Sequence, residues 1–522
     1  MKYLSKIQKS MLVVAILAMV SITSGMGKEP GLEWSTYYGE GIVEATEAVA
    51  VAPDGSVVTT GFIQPPDWQI DTFVARYSPD GTELLNFTIL DGGNIDGGFG
   101  ISVDKSGLVT VTGQTFSSGF PVTDDALQGT FGGFADGYLV QLSPNEEGGF
   151  DLVYSTFFGG SGEESIVDMV ADKQGGFVIC GYTGSSNLPV TPGAFQEEFA
   201  GGYLDAFVAH IVPGSDEPLA YSTYLGGSGD DSAYDPANPF GPSLDERLLR
   251  QAVAVSPMGM ITVAGMTWSE DFPVTDGAIQ TEHAPMTGTR YDDADMYMTV
   301  LNPLAVGNPT EKQLMYSTYI GGDGRDAAQD LVLRDYANIT LVGISQSEDF
   351  PVTNNAYKKT KPLAIQNAVV MQIQPLPFLP KGKQLKYSTY LGGTVRDAAN
   401  DAYLMWSGDI VIGGVTLSAD FPVTNGTTLQ GDSDLFLTRL DPSLPPDKQL
   451  IHSTYFGGSG DEGLCAGPVG NGLGTVYFGG STKSDDLPGR EGTWDDSYDG
   501  VNYDAFVAKY YLGGMGYSGM SD

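Results

Sequence analysis

The chain of 522 residues is short of cysteine, histidine, cations and long apolar runs, and each shortage closes off a class of function. Two cysteines, Cys180 and Cys465, make no disulfide framework. They fall four repeats apart in the pattern described below, beyond disulfide reach, so both are expected to be free and buried. Three histidines, His210, His283 and His452, occupy different places in that pattern, which argues against a multi-histidine metal centre. Lys and Arg number 25 against 65 Asp and Glu, a formal net charge of −40. Nucleic acid is therefore not expected as a partner, because its binding rests on clustered cations. The charge suits a self-repelling surface. There is no Gly-x-Ser-x-Gly elbow in a strand-to-helix setting, and the Gly-rich turns lack the Lys and helix of a phosphate loop.

Beyond the N-terminus no apolar stretch is long enough to span a bilayer. Residues 1–25 read as a signal peptide: Lys2, Lys6 and Lys9, an apolar run from Met11 to Val20, and small residues from Ser21 to Gly25. The competing reading is an uncleaved N-terminal anchor. No Cys follows the run, which excludes lipid attachment there. The expected address is secreted, periplasmic or cell-surface associated, with no transmembrane segment after cleavage.

Glycine (71) and proline (30) are plentiful, as short strands joined by tight turns require. One stretch recurs: Tyr221-Ser222-Thr223-Tyr224-Leu225-Gly226-Gly227-Ser228-Gly229-Asp230-Asp231. Near-copies begin at Tyr154, Tyr316, Tyr387 and His452, and worn ones at Trp34 and Asn86, seven in all. Repeats decide the fold before any local argument does. Each repeat reads as four strands. In the third these are Ile166 to Ala171 (A), Gly176 to Cys180 (B), Asp205 to Ile211 (C) and Leu219 to Leu225 (D), with period-2 alternation. Strand B is expected to stop at Gly61, Gly113, Gly181, Gly265, Gly343, Gly414 and Gly480, a position needing either positive φ or close packing that excludes Cβ.

Four-stranded units repeated radially predict an all-β fold, a seven-bladed β-propeller of antiparallel blades over residues 33–512, with 513–522 a short tail. The first strand D, Glu33 to Tyr38, precedes any A–B–C set, and the last strand C, Asp504 to Tyr511, has no D after it. Pairing the two closes the ring and removes an open sheet edge.

The stretches Tyr221 to Gly227, Asp271 to Thr275, Asp205 to Ala209 and Asp504 to Ala508 resemble the bacterial β-propeller repeat family, the SBBP repeats. The resemblance covers roughly residues 33–512 and is weakest in blades 1 and 2. It implies an exported propeller, often at cell surfaces, and no catalytic residues.

The D–A and B–C loops share one face and are the longer, more acidic set, so function is expected there. Acids gather where strand A leaves the D–A loop: Glu44, Asp96, Glu163, Glu164, Asp230, Asp231, Asp326, Asp397, Asp461 and Glu462. They read either as a cation-attracting channel mouth or as turn caps. Recurrence in every blade favours caps. Recurrence likewise assigns the strand D tyrosines to packing rather than to a sugar platform. The loop from Asp495 offers Asp495, Ser497 and Asp499 as hard oxygens for Ca²⁺, although Phe506 stands where an EF-hand places Glu. Blade 4 breaks the repeat twice, at Asp230 to Arg250 and Ser269 to Ala294. Within the first, Ser243 to Glu246 has capping-box spacing for a short helix. The two insertions bring Tyr234, Phe240, Arg247, His283, Arg290 and Asp292 to one face, the aromatic and charged mixture that binding sites use. The expected function is a non-enzymatic binding or surface-interaction module for a glycan or protein. The alternatives are a secreted polysaccharide lyase or hydrolase using paired carboxylates of the long-loop face, and a structural envelope component.

Overall fold

The computed structural model describes residues 28–39, 41–65, 69–173, 175–232, 250–285, 293–335, 337–499 and 502–514. They form seven four-stranded antiparallel sheets. Six sheets are built from consecutive strands. In the seventh, Gly31–Tyr38 pairs with Asp504–Tyr511, Tyr37 opposite Phe506 and Ser35 opposite Ala508. The propeller is therefore closed by its N-terminal strand, as the repeat count requires. Among the described residues no helix is long and apolar enough to cross a membrane.

The innermost strands of the blades are Val43–Val51, Asp96–Val103, Glu164–Ala171, Ala252–Val255, Asp326–Asp335, Asp397–Leu404 and Glu462–Gly470. Each packs on the next around the axis, the last on the first. The apolar core lies between sheets. Met296, Met298 and Val300 of blade 4 face Ile339, Leu341, Val369 and Met371 of blade 5 in one such layer. Each fully buried side chain of this kind contributes about 1.5–3 kcal/mol. The tyrosines of the signature belong to these layers: Tyr221, Tyr224, Tyr319 and Tyr390 are at most 1% exposed. Tyr224 Oη also donates to the Ser185 carbonyl at 2.7 Å, and Tyr319 Oη to that of Ser269 at 2.7 Å, holding strand D to its own B–C loop.

Strand B does not stop at its glycine. It runs on to Thr183 in blade 3 (Phe177–Thr183), with Gly181 inside it. The reason is a bulge in the neighbouring inner strand. The register slips between Ile166 and Asp168, between Ala328 and Asp330, and between Ala399 and Asp401. A bulge bends its strand and re-aims side chains. Here it also pushes a carbonyl over strand B, so a Cβ on Gly181, Gly343 or Gly414 would strike the Ser165, Ala327 or Ala398 oxygen. None of these three glycines has a left-handed φ. Close packing, not backbone conformation, is what demands glycine.

Candidate site in the axial channel

Among the recurrent acids of the long-loop face, Asp96, Glu164, Asp231, Asp326, Asp397 and Glu462 are turn caps, while Glu163 accepts the Gln114 amide at 3.3 Å and Asp461 pairs with Lys483 at 3.3 Å. Asp231 accepts the Gly227 N–H at 2.7 Å, the Ser269 hydroxyl at 2.8 Å and the Thr267 hydroxyl. Asp397 repeats this with Gly393 N–H (2.8 Å), Thr416 (2.6 Å) and Ser418 (3.2 Å), and Glu462 with Gly458 N–H (3.0 Å) and Thr482 (2.7 Å). The acid opening strand C faces it. Asp205 accepts the Ala200 N–H at 2.6 Å, and Asp295 that of Ala284 at 2.8 Å. The first glycine of the signature lies beneath both acids. A Cβ on Gly226 would stand 2.7 Å from Asp231 Oδ2 and 2.8 Å from Asp205 Oδ1. Burial, then the charge of Asp231, pushes Asp205 up to about 8, and burial raises Asp231 to about 7. Asp205, Asp231, Asp397 and Glu462 are at most 1% exposed. Among the described residues these carboxylate pairs sit buried beneath their own turns.

The expected ligand surface on blade 4 falls mostly outside the described residues, where Tyr234, Phe240, Arg247, Arg290, Asp292 and the expected helix at Ser243 to Glu246 all lie. The same holds for residues 1–25 and nearly all of the tail. His283 is described. Its Nδ1 meets the Ala284 carbonyl at 2.7 Å and its Nε2 that of Thr267 at 3.2 Å, with the ring against Tyr319, so it holds its own loop. In the last blade Asp495 accepts the Ser497 N–H (3.1 Å) and hydroxyl (2.9 Å) as a tight turn, while the Asp499 N–H donates to Asp504 at 3.0 Å. A different trio, Asp71, Asp91 and Asp96, brings three carboxylates within 4.8 Å of one another, because Asp91 replaces the first glycine of the signature.

The position of the first blade 4 insertion is more informative than its composition. Asp231 keeps its cap, so the extra residues enter after it, inside the frame of the inner strand, and the chain returns at Arg250. Arg250 Nη2 then meets Glu47 Oε2 of blade 1 at 3.0 Å. Blades 1 and 4 are not neighbours, so this ion pair spans the axial channel. Beyond it a cavity of about 520 Å³ extends along the inner strands toward the short-turn face, the opposite face from the one expected.

The bulges aim two rings of side chains at this cavity. Glu47, Phe99, Val167, Gln329 and Asn400 occupy the bulge position, and Gln251 stands just before the unbulged inner strand of blade 4. The next position holds Asp168, Asp330 and Asp401 in blades 3, 5 and 6. Each of these carboxylates clasps the following blade: Asp168 accepts Val253 N–H (2.8 Å), Asp330 accepts Ala402 N–H (2.8 Å), and Asp401 accepts Gly467 N–H (3.0 Å). All three are half-buried and line the cavity. Burial, then the charge of Asp330, pushes Asp168 up to about 7. Burial raises Asp330 as well, and Asp401 furthest, again with the Asp330 charge beside it. Cys180 lies opposite Asp168 in the sheet, and Cys465 Sγ contacts the Gly467 carbonyl at 3.4 Å beside Asp401. Both cysteines are free and buried, as expected.

The channel set is hard to read from the sequence because it does not recur in every blade. Its signal was present: Val167-Asp168-Met169, Gln329-Asp330-Leu331 and Asn400-Asp401-Ala402 place Asp at one step of strand A, where Ala48 and Gly100 stand in blades 1 and 2.

No family model matches the chain, and no curated protein does. Solved structures of similar shape include a protein of unknown function from Dyadobacter fermentans (TM-score 0.39, 11% identity, covering 92% of this chain and 99% of that one). Another is a puromycin-hydrolyzing peptidase from Mycobacterium tuberculosis (TM-score 0.40, 12% identity, 88% of this chain and 54% of that one). A third is the acylaminoacyl peptidase of Pyrococcus horikoshii (TM-score 0.37, 7% identity, 86% and 50%). The chain spans about half the length of the two peptidases. At this level of likeness nothing about activity passes to this chain.

Proposed function

We propose that this protein is an exported, non-enzymatic propeller that works as a binding module, with the axial channel as its ligand site. One observation carries the reading. Inside the cavity, both polar atoms of the Gln329 amide and the Asn400 Oδ1 are buried with no hydrogen-bond partner. An unsatisfied buried polar group costs about 1–3 kcal/mol, so a blade that served only packing would carry an apolar residue there, as Val167 does in blade 3. A ligand that completes these bonds offsets that cost. Export rests on the leader at residues 1–25, and a surface glycan or protein stays within the class of partners.

The test is a differential scanning screen of the mature protein against small metabolites, glycans and peptides, with and without Ca²⁺. A ligand of this site raises the melting temperature of wild type and loses that effect in Gln329→Met. Hits indifferent to Gln329→Met put the site elsewhere. Cell fractionation checks the address.

A further inference from the structure

The channel is rich in acceptors. Three consecutive blades carry a buried side-chain carbonyl oxygen in the cavity wall, from Gln251, Gln329 and Asn400, each 2% exposed. Gln251 Oε1, Gln329 Oε1 and Asn400 Oδ1 receive no hydrogen bond, and all three residues line the one cavity. Because the Gln329 amide is unpartnered at both ends, it turns its oxygen inward without breaking a bond. Asp168, Asp330 and Asp401 add carboxylate acceptors one step along the strands, and the Arg250 guanidinium, whose charge reaches all three, also pairs with Glu47. A group with several diverging N–H donors and a positive charge answers this arrangement. A bare metal ion answers it less well. Among the described residues the three carboxylates close enough to share one ion are Asp71, Asp91 and Asp96, none of which lines this cavity. Past the carboxylates the same cavity is lined by Val170, Val332, Tyr403 and Val469, which suit an aliphatic stem.

We propose that the channel binds an organic cation, a primary ammonium carried on a short aliphatic chain, its N–H groups directed at Gln251, Gln329 and Asn400. This rests on the channel being the ligand site.

Isothermal titration of the full mature protein with n-pentylamine, 1-pentanol and pentanoate separates the two claims. The amine is expected to bind, and the alcohol and carboxylate to bind at least about tenfold more weakly. Gln329→Met and Asn400→Leu should each weaken the amine by about tenfold, at an unchanged or raised melting temperature, since each removes an unpartnered polar group. The second variant serves if the first does not fold. Alcohol bound as tightly as amine, with both variants weakening it, overturns the cation and leaves the channel site standing. So does a screening hit without a cationic group that responds to Gln329→Met. Amine binding that neither variant changes overturns the cation and the channel together, and failure of the amine to bind overturns the cation.

Discussion

Two sets of carboxylates ring this propeller, and they differ in what surrounds their oxygens. At the long-loop face an acid recurs blade after blade, and in the blades described above it is bonded to a glycine N–H and a Thr-x-Ser pair of hydroxyls. In the channel, Asp appears in blades 3, 5 and 6 alone, clasps the next blade and still faces open space. Identical chemistry repeated in every unit serves the unit. Chemistry that varies within an unvarying frame is free to serve the whole ring.

The channel set exists only in a closed ring, so the largest effect comes from opening it. Deleting residues 28–38 removes Tyr37 and Tyr38, which are 0% and 2% exposed, and leaves Asp504–Tyr511 without its outer partner. The expected loss is on the order of 5 kcal/mol or more, read by calorimetry. An unchanged melting curve rejects the closure.

The next effect is pH. Asp205 and Glu462 are pushed up to about 8 and Asp231 and Asp326 to about 7, burial being the first cause in each. Between the ordinary carboxyl range and these values the unfolded chain binds fewer protons than the folded one. Stability is therefore greatest near pH 4–5 and falls as pH rises through about 8, by several kcal/mol in all. Urea titrations at fixed ionic strength measure the slope. Asp205→Asn should flatten it, and a protein that becomes more stable from pH 5 to pH 8 contradicts the sealed-pair account.

Single substitutions then separate the two sets. Asp231→Ala strands the Gly227 N–H and two hydroxyls and should cost about 2–4 kcal/mol. Asp401→Asn keeps a hydrogen-bonding group of the same shape beside Asp330 while removing a carboxyl whose charged form burial disfavours. It should stay within about 1 kcal/mol of wild type or exceed it. Equal losses at the two sites erase the distinction between the rings. The smallest effect concerns the thiols, which shield the channel carboxylates from behind. Cys180 and Cys465 should ignore a thiol reagent in the native protein, and both should react after denaturation without reductant. Fewer than two thiols in the denatured chain contradicts the placement of the cysteines.

The repeat made the ring, its blade count and its closure legible, because Tyr221 to Asp231 and its copies carry turn, strand and cap in one string. Two things stayed hidden. Gly181 looks like a strand end when read locally, and only the bulge at Ile166 and Asp168, a property of the neighbouring strand, shows that the strand passes through it. The channel depends on which bulged residues converge from blades hundreds of residues apart. Glu47 and Arg250 share no local pattern, and their ion pair exists only once seven blades fix the radius of the ring.

The seam between Gly31–Tyr38 and Asp504–Tyr511 also sets an order of events for the growing chain. Blades 1 to 6 each draw on one continuous segment and can zip as that segment appears. The outermost strand of the last blade is made first and must wait for a partner more than four hundred residues later. That long-range closure comes at the end of folding and pays the largest loop entropy of the molecule. Until it forms, the chain exposes one orphan strand and one open edge, able to capture each other within a molecule or between two. Keeping newly made copies apart is thus a task for the strong acidic charge that the surface carries throughout.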